Sequence, residues 1–166
     1  MNLQEFFDYK NQKMEDLLTS ETIVHLLDKD IPMQDAEQLA YTQVFPCEYI
    51  PKTVEEGKTF ICFDVDIQKS LDKTYLIPTL IVWVFTHRSL LKLPEGGVRT
   101  DKLCAEISKV INGSFKYGIG ELNLYSVKRF APMTDYQGKC LVFQARDFNR
   151  QYNPKKAVPA NRKTGL

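Results

Sequence analysis

The sequence predicts an α+β fold: a mainly antiparallel sheet of about four strands with helices packed on one face, an N-terminal helical extension and an extended basic C-terminal arm. Three observations lead there. Apolar residues recur at helical spacing near the N-terminus and again after Thr100. Four segments between Thr59 and Arg146 carry strand patterns. The order of elements is helices, strand, strand, helix, strand, strand, which suits helices segregated to one face of a sheet. The expected organisation is 1–58 for the N-terminal helices and an extended connection, 59–149 for the core domain and 150–166 for the arm.

Residues 1–30 read as helix, with Met14, Leu17 and Leu18 forming one stripe. Ser20 is placed to cap a further stretch in which Ile23, Val24 and Leu27 face inward, and Asp30-Ile31-Pro32 ends it. Asp35 is expected to cap a short helix reaching Gln43. Pro46, Pro51 and Gly57 mark the segment from Phe45 as an extended connection.

In TFICFDVDI, Ile61, Phe63, Val65 and Ile67 alternate with Phe60, Cys62, Asp64 and Asp66. That is period two, a strand with one buried face and another that turns polar. Gln68 to Lys73 fits a loop. Tyr75 to Thr86 is apolar on both parities and reads as a central strand covered on both faces, with regular pairing expected after Pro78. Leu93 to Gly97 is a turn. The clearest helix follows, with Thr100 as N-cap, Asp101 in its first turn, Leu103, Ile107, Val110 and Ile111 on one face, and Gly113 after its end. Two strands close the domain, Glu121 to Phe130 and Lys139 to Arg146, joined by a hairpin turn at Asp135-Tyr136-Gln137-Gly138.

Length, at 166 residues, suits one domain with a single core. With 43% apolar residues, 26% charged residues and a formal net charge of +1, the chain as a whole is no electrostatic magnet for nucleic acid. Its four cysteines form no C-x-x-C pair, which argues against a structural zinc site. Spread singly among apolar residues, they read as buried free thiols in a reducing compartment. The N-terminus carries acids early and lacks the apolar run of a signal peptide. The longest apolar block, Leu76 to Phe85, is too short for a membrane helix, so no membrane is expected.

Candidate chemistry is sparse. Asp64 and Asp66 share one strand face and could share a divalent cation; with Glu106 and Lys109 they suggest a metal-dependent nuclease centre. A solvated strand face explains them more simply. His25 and His87, the two histidines, read as packed or half-exposed residues rather than catalysts. Gly118-Ile119-Gly120 precedes a strand and lacks a third glycine, so it is no dinucleotide fingerprint; Gly96-Gly97 lacks the Lys-Ser/Thr of a phosphate loop. The expectation is therefore no catalytic residue, no metal and no cofactor.

Interface candidates are Arg99 and Asp101 at the helix start, read either as a solvated arginine beside a helix-end aspartate or as an inter-subunit ion pair. The others lie in the arm RQYNPKKAVPANRKTGL: Arg150, Tyr152, Lys155, Lys156, Arg162 and Lys163. This arm has no acidic residue and little apolar surface to offset the entropy of ordering it, so a neighbouring molecule is its expected resting place. Acidic protein surface suits it better than nucleic acid, because one tyrosine is a thin stacking platform.

The runs TFICFDVDI, YLIPTLIVWVFTHRSLL, GGVRTDKLCAEISKVINGS, GIGELNLYSVKRF and YQGKCLVFQARDFN together are similar to virion neck and tail proteins of phages and prophages of Gram-positive bacteria. Among those the chain most resembles the tail terminator, or tail-completion, proteins of long-tailed phages. The likeness spans about Thr59 to Asn149 and includes the strand leading to the Arg99-x-Asp101 helix start; upstream FPCEYIPKTVEEGKT fits the same set. The resemblance implies a small α+β subunit that forms a homo-oligomeric ring, a hexamer, which caps the tail tube and joins it to the head–tail connector. Implied partners are copies of itself, the tail tube protein and head-completion or connector proteins, with room for DNA in the lumen. The implied location is the virion tail or neck, assembled in the host bacterial cytoplasm. The N-terminal helices and the arm depart from compact terminators and leave open another neck role, such as head closure or adaptor. The competing classes are a metal-dependent nuclease using Asp64 and Asp66, and a DNA-binding accessory protein.

Overall fold

The computed structural model describes residues 3–51, 57–69, 75–115, 120–145 and 147–148. The arm over 150–166 with its six interface candidates, the loop after Lys69, residues 52–56 of the connection before Gly57, and Gly118-Ile119 lie outside the described residues.

The N-terminal helical stretch is two helices, α1 (Leu3–Leu18) and α2 (Glu21–Leu27). Ser20 holds the N-cap position of α2, but its side chain makes no capping bond. A 3-10 helix follows over Met33–Leu39. It starts directly behind Pro32, whose extended backbone (φ −72°, ψ 149°) supplies the entry, so Asp35 sits inside the first turn and not at the cap as expected.

Six strands form one sheet: β1 (Val44–Phe45), β2 (Thr59–Lys69), β3 (Tyr75–His87), β4 (Asn123–Phe130), β5 (Tyr136–Gln144) and β6 (Asp147–Phe148). Their order is β1-β2-β3-β5-β4, with β6 pairing β3 beyond the end of β5. All pairs are antiparallel except β1 with β2. Pairing of β2 with β3 runs from Thr59↔Thr86 through Ile67↔Pro78 to Lys69↔Leu76, so it does not wait for Pro78. The Pro78 carbonyl accepts from the Ala145 amide, on the side away from β2. The donor that proline lacks therefore falls at the gap between β5 and β6, where it costs no ladder bond.

The turn between β4 and β5 occupies 131–135, and Tyr136, Gln137 and Gly138 belong to β5 instead of the expected hairpin turn. Gly138 pairs with both Phe85 and Phe130. A Cβ there would stand 1.9 Å from the Val84 carbonyl oxygen, so close strand approach, not turn geometry, requires glycine.

Helix α3 runs Arg99–Ile111 with Val98 at its N-cap, two residues before the expected cap Thr100. Thr100 is inside the helix and only 2% exposed, buried where a cap residue would meet solvent. Gly113 has φ +73° after the Asn112 C-cap and ends the helix as the sequence predicts.

The main core lies between the helices and one sheet face. Leu17, Ile23 and Val24 join Leu103, Ile107 and Ile111 of α3 against Ile61, Phe63, Val82, Val84, Leu141 and Phe143. Each such side chain, fully buried, contributes about 1.5–3 kcal/mol. A second, aromatic cluster covers one end of the other face, built from Phe60, Cys62, Phe85 and Tyr136 with Phe45, Tyr49, Trp83 and Phe130 packed on it. Phe60 and Phe85 stack with centroids 5.3 Å apart. β3 is thus covered on both faces there, as its continuous apolar run predicts.

Buried Gln43 ties the layers together. Its side-chain amide donates to the carbonyls of Leu27, at the end of α2 (3.0 Å), and Thr59, at the start of β2 (2.9 Å). Thr59 and Thr86 share a buried hydroxyl contact of 2.7 Å next to it.

Candidate assembly surface

The two long edges of the sheet differ in charge. β4 has a strand on one side only: it pairs with β5, and no described strand covers its other side. Helix α3 packs mainly against β5 and β3 and meets β4 at its C-cap, Asn112. The apolar residues of β4 are therefore left in solvent: Leu124 is 39% exposed, Tyr125 71% and Val127 49%. Lys128 and Arg129 beside them are exposed too. A bulge between Leu124 and Ser126 interrupts the register, and Asn112 caps this end by accepting from the Leu124 amide (2.7 Å).

At the opposite edge, β1 covers β2 only at Ile61 and Cys62. Beyond that point Asp64 is half-buried, Asp66 exposed and Ile67 38% exposed. Asp64 pairs with Lys10 of α1, whose ammonium also reaches the Pro46 carbonyl (3.1 Å). The exposed carboxylate of one edge, Asp66, thus contrasts with the basic pair of the other, and each edge carries an exposed aliphatic residue on the helix-bearing face.

The other sequence candidates are placed as follows. Arg99 is not solvated: its guanidinium donates to the Leu90 carbonyl and the Leu26 carbonyl, each at 2.8 Å. It binds the C-terminal turn of α2 to the start of α3, where a cation is favoured by the helix end. Asp101 is exposed and stands 3.7 Å from Lys139 of the same chain. Asp64 and Asp66 share a parity with the aromatic face, whereas Glu106 and Lys109 pair with each other (2.7 Å) on α3 across the sheet. The four residues are not brought together, and no cluster of three metal-ligating residues occurs among the described residues.

His87 caps the short 3-10 turn at Arg88–Leu90 by accepting from the Ser89 amide, and its Nδ1 lies 2.7 Å from the Ser89 hydroxyl. Its ring edge meets Tyr136, and Gly57 packs so closely that a Cβ there would clash with the imidazole. His25 is exposed on α2. Cys62 is buried, and burial pushes its thiol up to about 12; Cys104 is raised to about 12 by the same cause. Of the four cysteines, all expected to be buried, Cys62 is buried, Cys104 and Cys140 are half-buried and Cys47 is exposed. No helix among the described residues is long and apolar enough to cross a membrane.

What the sequence missed is the exposure of β4. Its residue types are those of a buried strand, and only the reach of α3 decides otherwise. The clue present in the sequence is the basic pair Lys128-Arg129 within the strand, a common way to keep an edge soluble.

The chain is 29% identical over 131 residues to a Rickettsia felis protein named "Putative ankyrin repeat protein", covering 75% of this chain and 54% of that protein. This chain thus spans about half the length of that curated relative. A solved chain from the virion of a native gene transfer agent particle aligns with 20% identity and a TM-score of 0.44, over 74% of this chain and 90% of the other. That score is too low to establish a common fold. The YomW family model matches residues 7–145, which takes in the helices, the sheet and both of its edges, and the chain therefore belongs to the YomW family.

Proposed function

We propose that this chain is a structural virion component that works by assembly rather than catalysis, and more finely a ring-forming tail terminator that caps the tail tube and joins it to the head–tail connector. The observation that carries the reading is the exposed apolar edge of β4, with Leu124, Tyr125 and Val127 in solvent. An uncovered edge with large apolar side chains is a liability in a monomer and an asset in an assembly. The phage association of the YomW family supports the virion setting. The similarity of the runs between Thr59 and Asn149 to tail terminators supports the finer role. In this reading the partners are other copies of the chain, the tail tube protein and connector proteins, and the basic arm rests on one of these neighbours.

The test is made in cells that produce the particles. Mass spectrometry of purified particles should find the chain at a few copies per particle, and its absence from them would sink the reading. Deleting the gene separates the finer alternatives. Loss of a terminator gives tubes of uncontrolled length that never join heads. Loss of a head-closure protein leaves normal tails beside open heads. Removal of 150–166 should leave a folded domain that assembles more weakly.

A further inference from the structure

We infer that the acidic edge of β2 and the basic edge of β4 are the two halves of one contact, so that β4 of one copy adds antiparallel to β2 of the next and the sheet runs on from subunit to subunit. This rests on the assembly reading above and names the surface through which it would occur. The occupant of each edge is a second copy of this chain.

The charge pattern selects this pairing. On β4, Lys128 lies on the aromatic-bearing face and Val127 on the helix-bearing face, since their β5 partners are Cys140 and Leu141. On β2, Asp66 shares the parity of Phe60 and Cys62, and Ile67 that of Ile61 and Phe63. Matching faces are therefore alike in both edges. A single antiparallel register sets Lys128 opposite Asp66 and Val127 opposite Ile67 together. The first is an opposite-charge cross-strand pair; the second buries Val127 and Ile67, 49% and 38% exposed in the lone chain.

The alternatives that pair an edge with itself fare worse. β4 against β4 gathers Lys128 and Arg129 from both copies, like charges at one junction; β2 against β2 sets Asp66 beside an Asp64 that Lys10 already balances and brings no opposite charge to Asp66. Strand direction also agrees. β2 and β4 are antiparallel to each other within the sheet, because each step β2-β3-β5-β4 reverses direction. Joining β4 to the next β2 antiparallel keeps every subunit in the same orientation. A contact between two different surfaces of that kind is the type that closes into rings or runs into filaments.

The regular part of β4, Ser126 to Phe130, lies past the bulge and is long enough for this ladder. On the other edge, no described strand covers β2 from Phe63 to Lys69; the Val65 amide there donates to the Asp64 carboxylate (2.8 Å) and Lys10 lies beside Asp64, so the open part of the edge begins at Asp66. Asp64 already has Lys10, which leaves exposed Asp66 as the carboxylate for the incoming lysine.

The test uses the full chain with Cys47→Ser, followed by light scattering across concentration and mild oxidation. The double variant Val127→Cys with Ile67→Cys should give a ladder or closed ring of disulfide-linked subunits. Either cysteine alone should give dimers at most. In the charge series, Lys128→Glu should weaken association by about tenfold or more, and adding Asp66→Lys in the same chain should restore it. Circular dichroism confirms that each variant is folded. A double variant that stays monomeric under oxidation overturns the proposal, as does a charge swap that gives no rescue. If the ladder is missing while the wild-type chain still has a multi-subunit mass, assembly stands and uses another surface. The virion reading is judged separately, by the presence of the chain in purified particles.

Discussion

β3 and β4 both carry large apolar residues and end up in opposite environments. β3, YLIPTLIVWVFTH, has a strand on each side and buries Leu80, Val82, Val84 and Phe85 almost completely. β4, NLYSVKRF, lies on one side of β5 and leaves Leu124, Tyr125 and Val127 in solvent. The difference comes from neighbours, not from propensity: β3 has α3 above it and the aromatic cluster below, and β4 has neither along most of its length. The same kind of apolar side chain is a stability element in one strand and is left in solvent in the other.

That contrast can be broken most forcefully in β3. Phe85→Ala should cost about 3–5 kcal/mol, because Phe85 is fully buried between Phe60, Phe130 and Tyr136. Urea unfolding followed by circular dichroism reads this directly, and a loss under about 1 kcal/mol would mean the aromatic cluster is not packed as described. The next effect is steric. Gly138→Ala forces a methyl into the Val84 carbonyl and should cost about 3 kcal/mol, with a lowered melting temperature and Phe85→Ala unable to relieve it, since the obstacle is backbone.

A third measurement sharpens the inside of the sheet against its edge through pH. Burial holds the Cys62 thiol up to about 12, above its ordinary value of 9.0. The folded state keeps its proton while the unfolded state loses it, so stability from this group is flat below pH 9.0 and falls as pH rises from there toward about 12. Cys104 acts in the same direction. Melting curves from pH 8 upward should decline less steeply for Cys62→Ala, Cys104→Ala than for the parent chain; equal slopes would place both thiols in contact with water. The smallest effect is predicted at the edge. Tyr125→Ser should leave stability within about 0.5 kcal/mol of wild type while weakening self-association, and a large stability loss would show that β4 is part of the core after all.

Much of this architecture was legible because the side-chain periods are strong. The alternation in TFICFDVDI correctly separates Ile61, Phe63 and Val65 from Phe60 and Cys62, and the α3 stripe correctly names Leu103, Ile107 and Ile111 as core. Errors fall where a distant element decides. Thr100 resembles a cap, but the helix begins before it and buries it. Gly138 resembles a turn residue, but the approach of Val84 from another strand is what excludes a side chain. Arg99 was singled out for an interface, and its two carbonyl bonds join segments far apart in sequence, a role no local pattern reveals. The candidate surface was the least legible part. Charge on the two edges can be read from the chain, but that they are edges depends on strand order.

The brevity of β1 has a mechanical consequence. It covers Ile61 and Cys62 and goes no further. A strand laid along the same edge of β2 would slide until it met Phe45-Pro46, as a drawer meets its back panel. That stop would limit how far an added strand can travel, and side-chain pairing at Asp66 and Ile67 would choose its register within the limit. Lengthening β1 by replacing Pro46 with a strand-forming residue would move that stop and shorten the stretch of β2 open to an added strand.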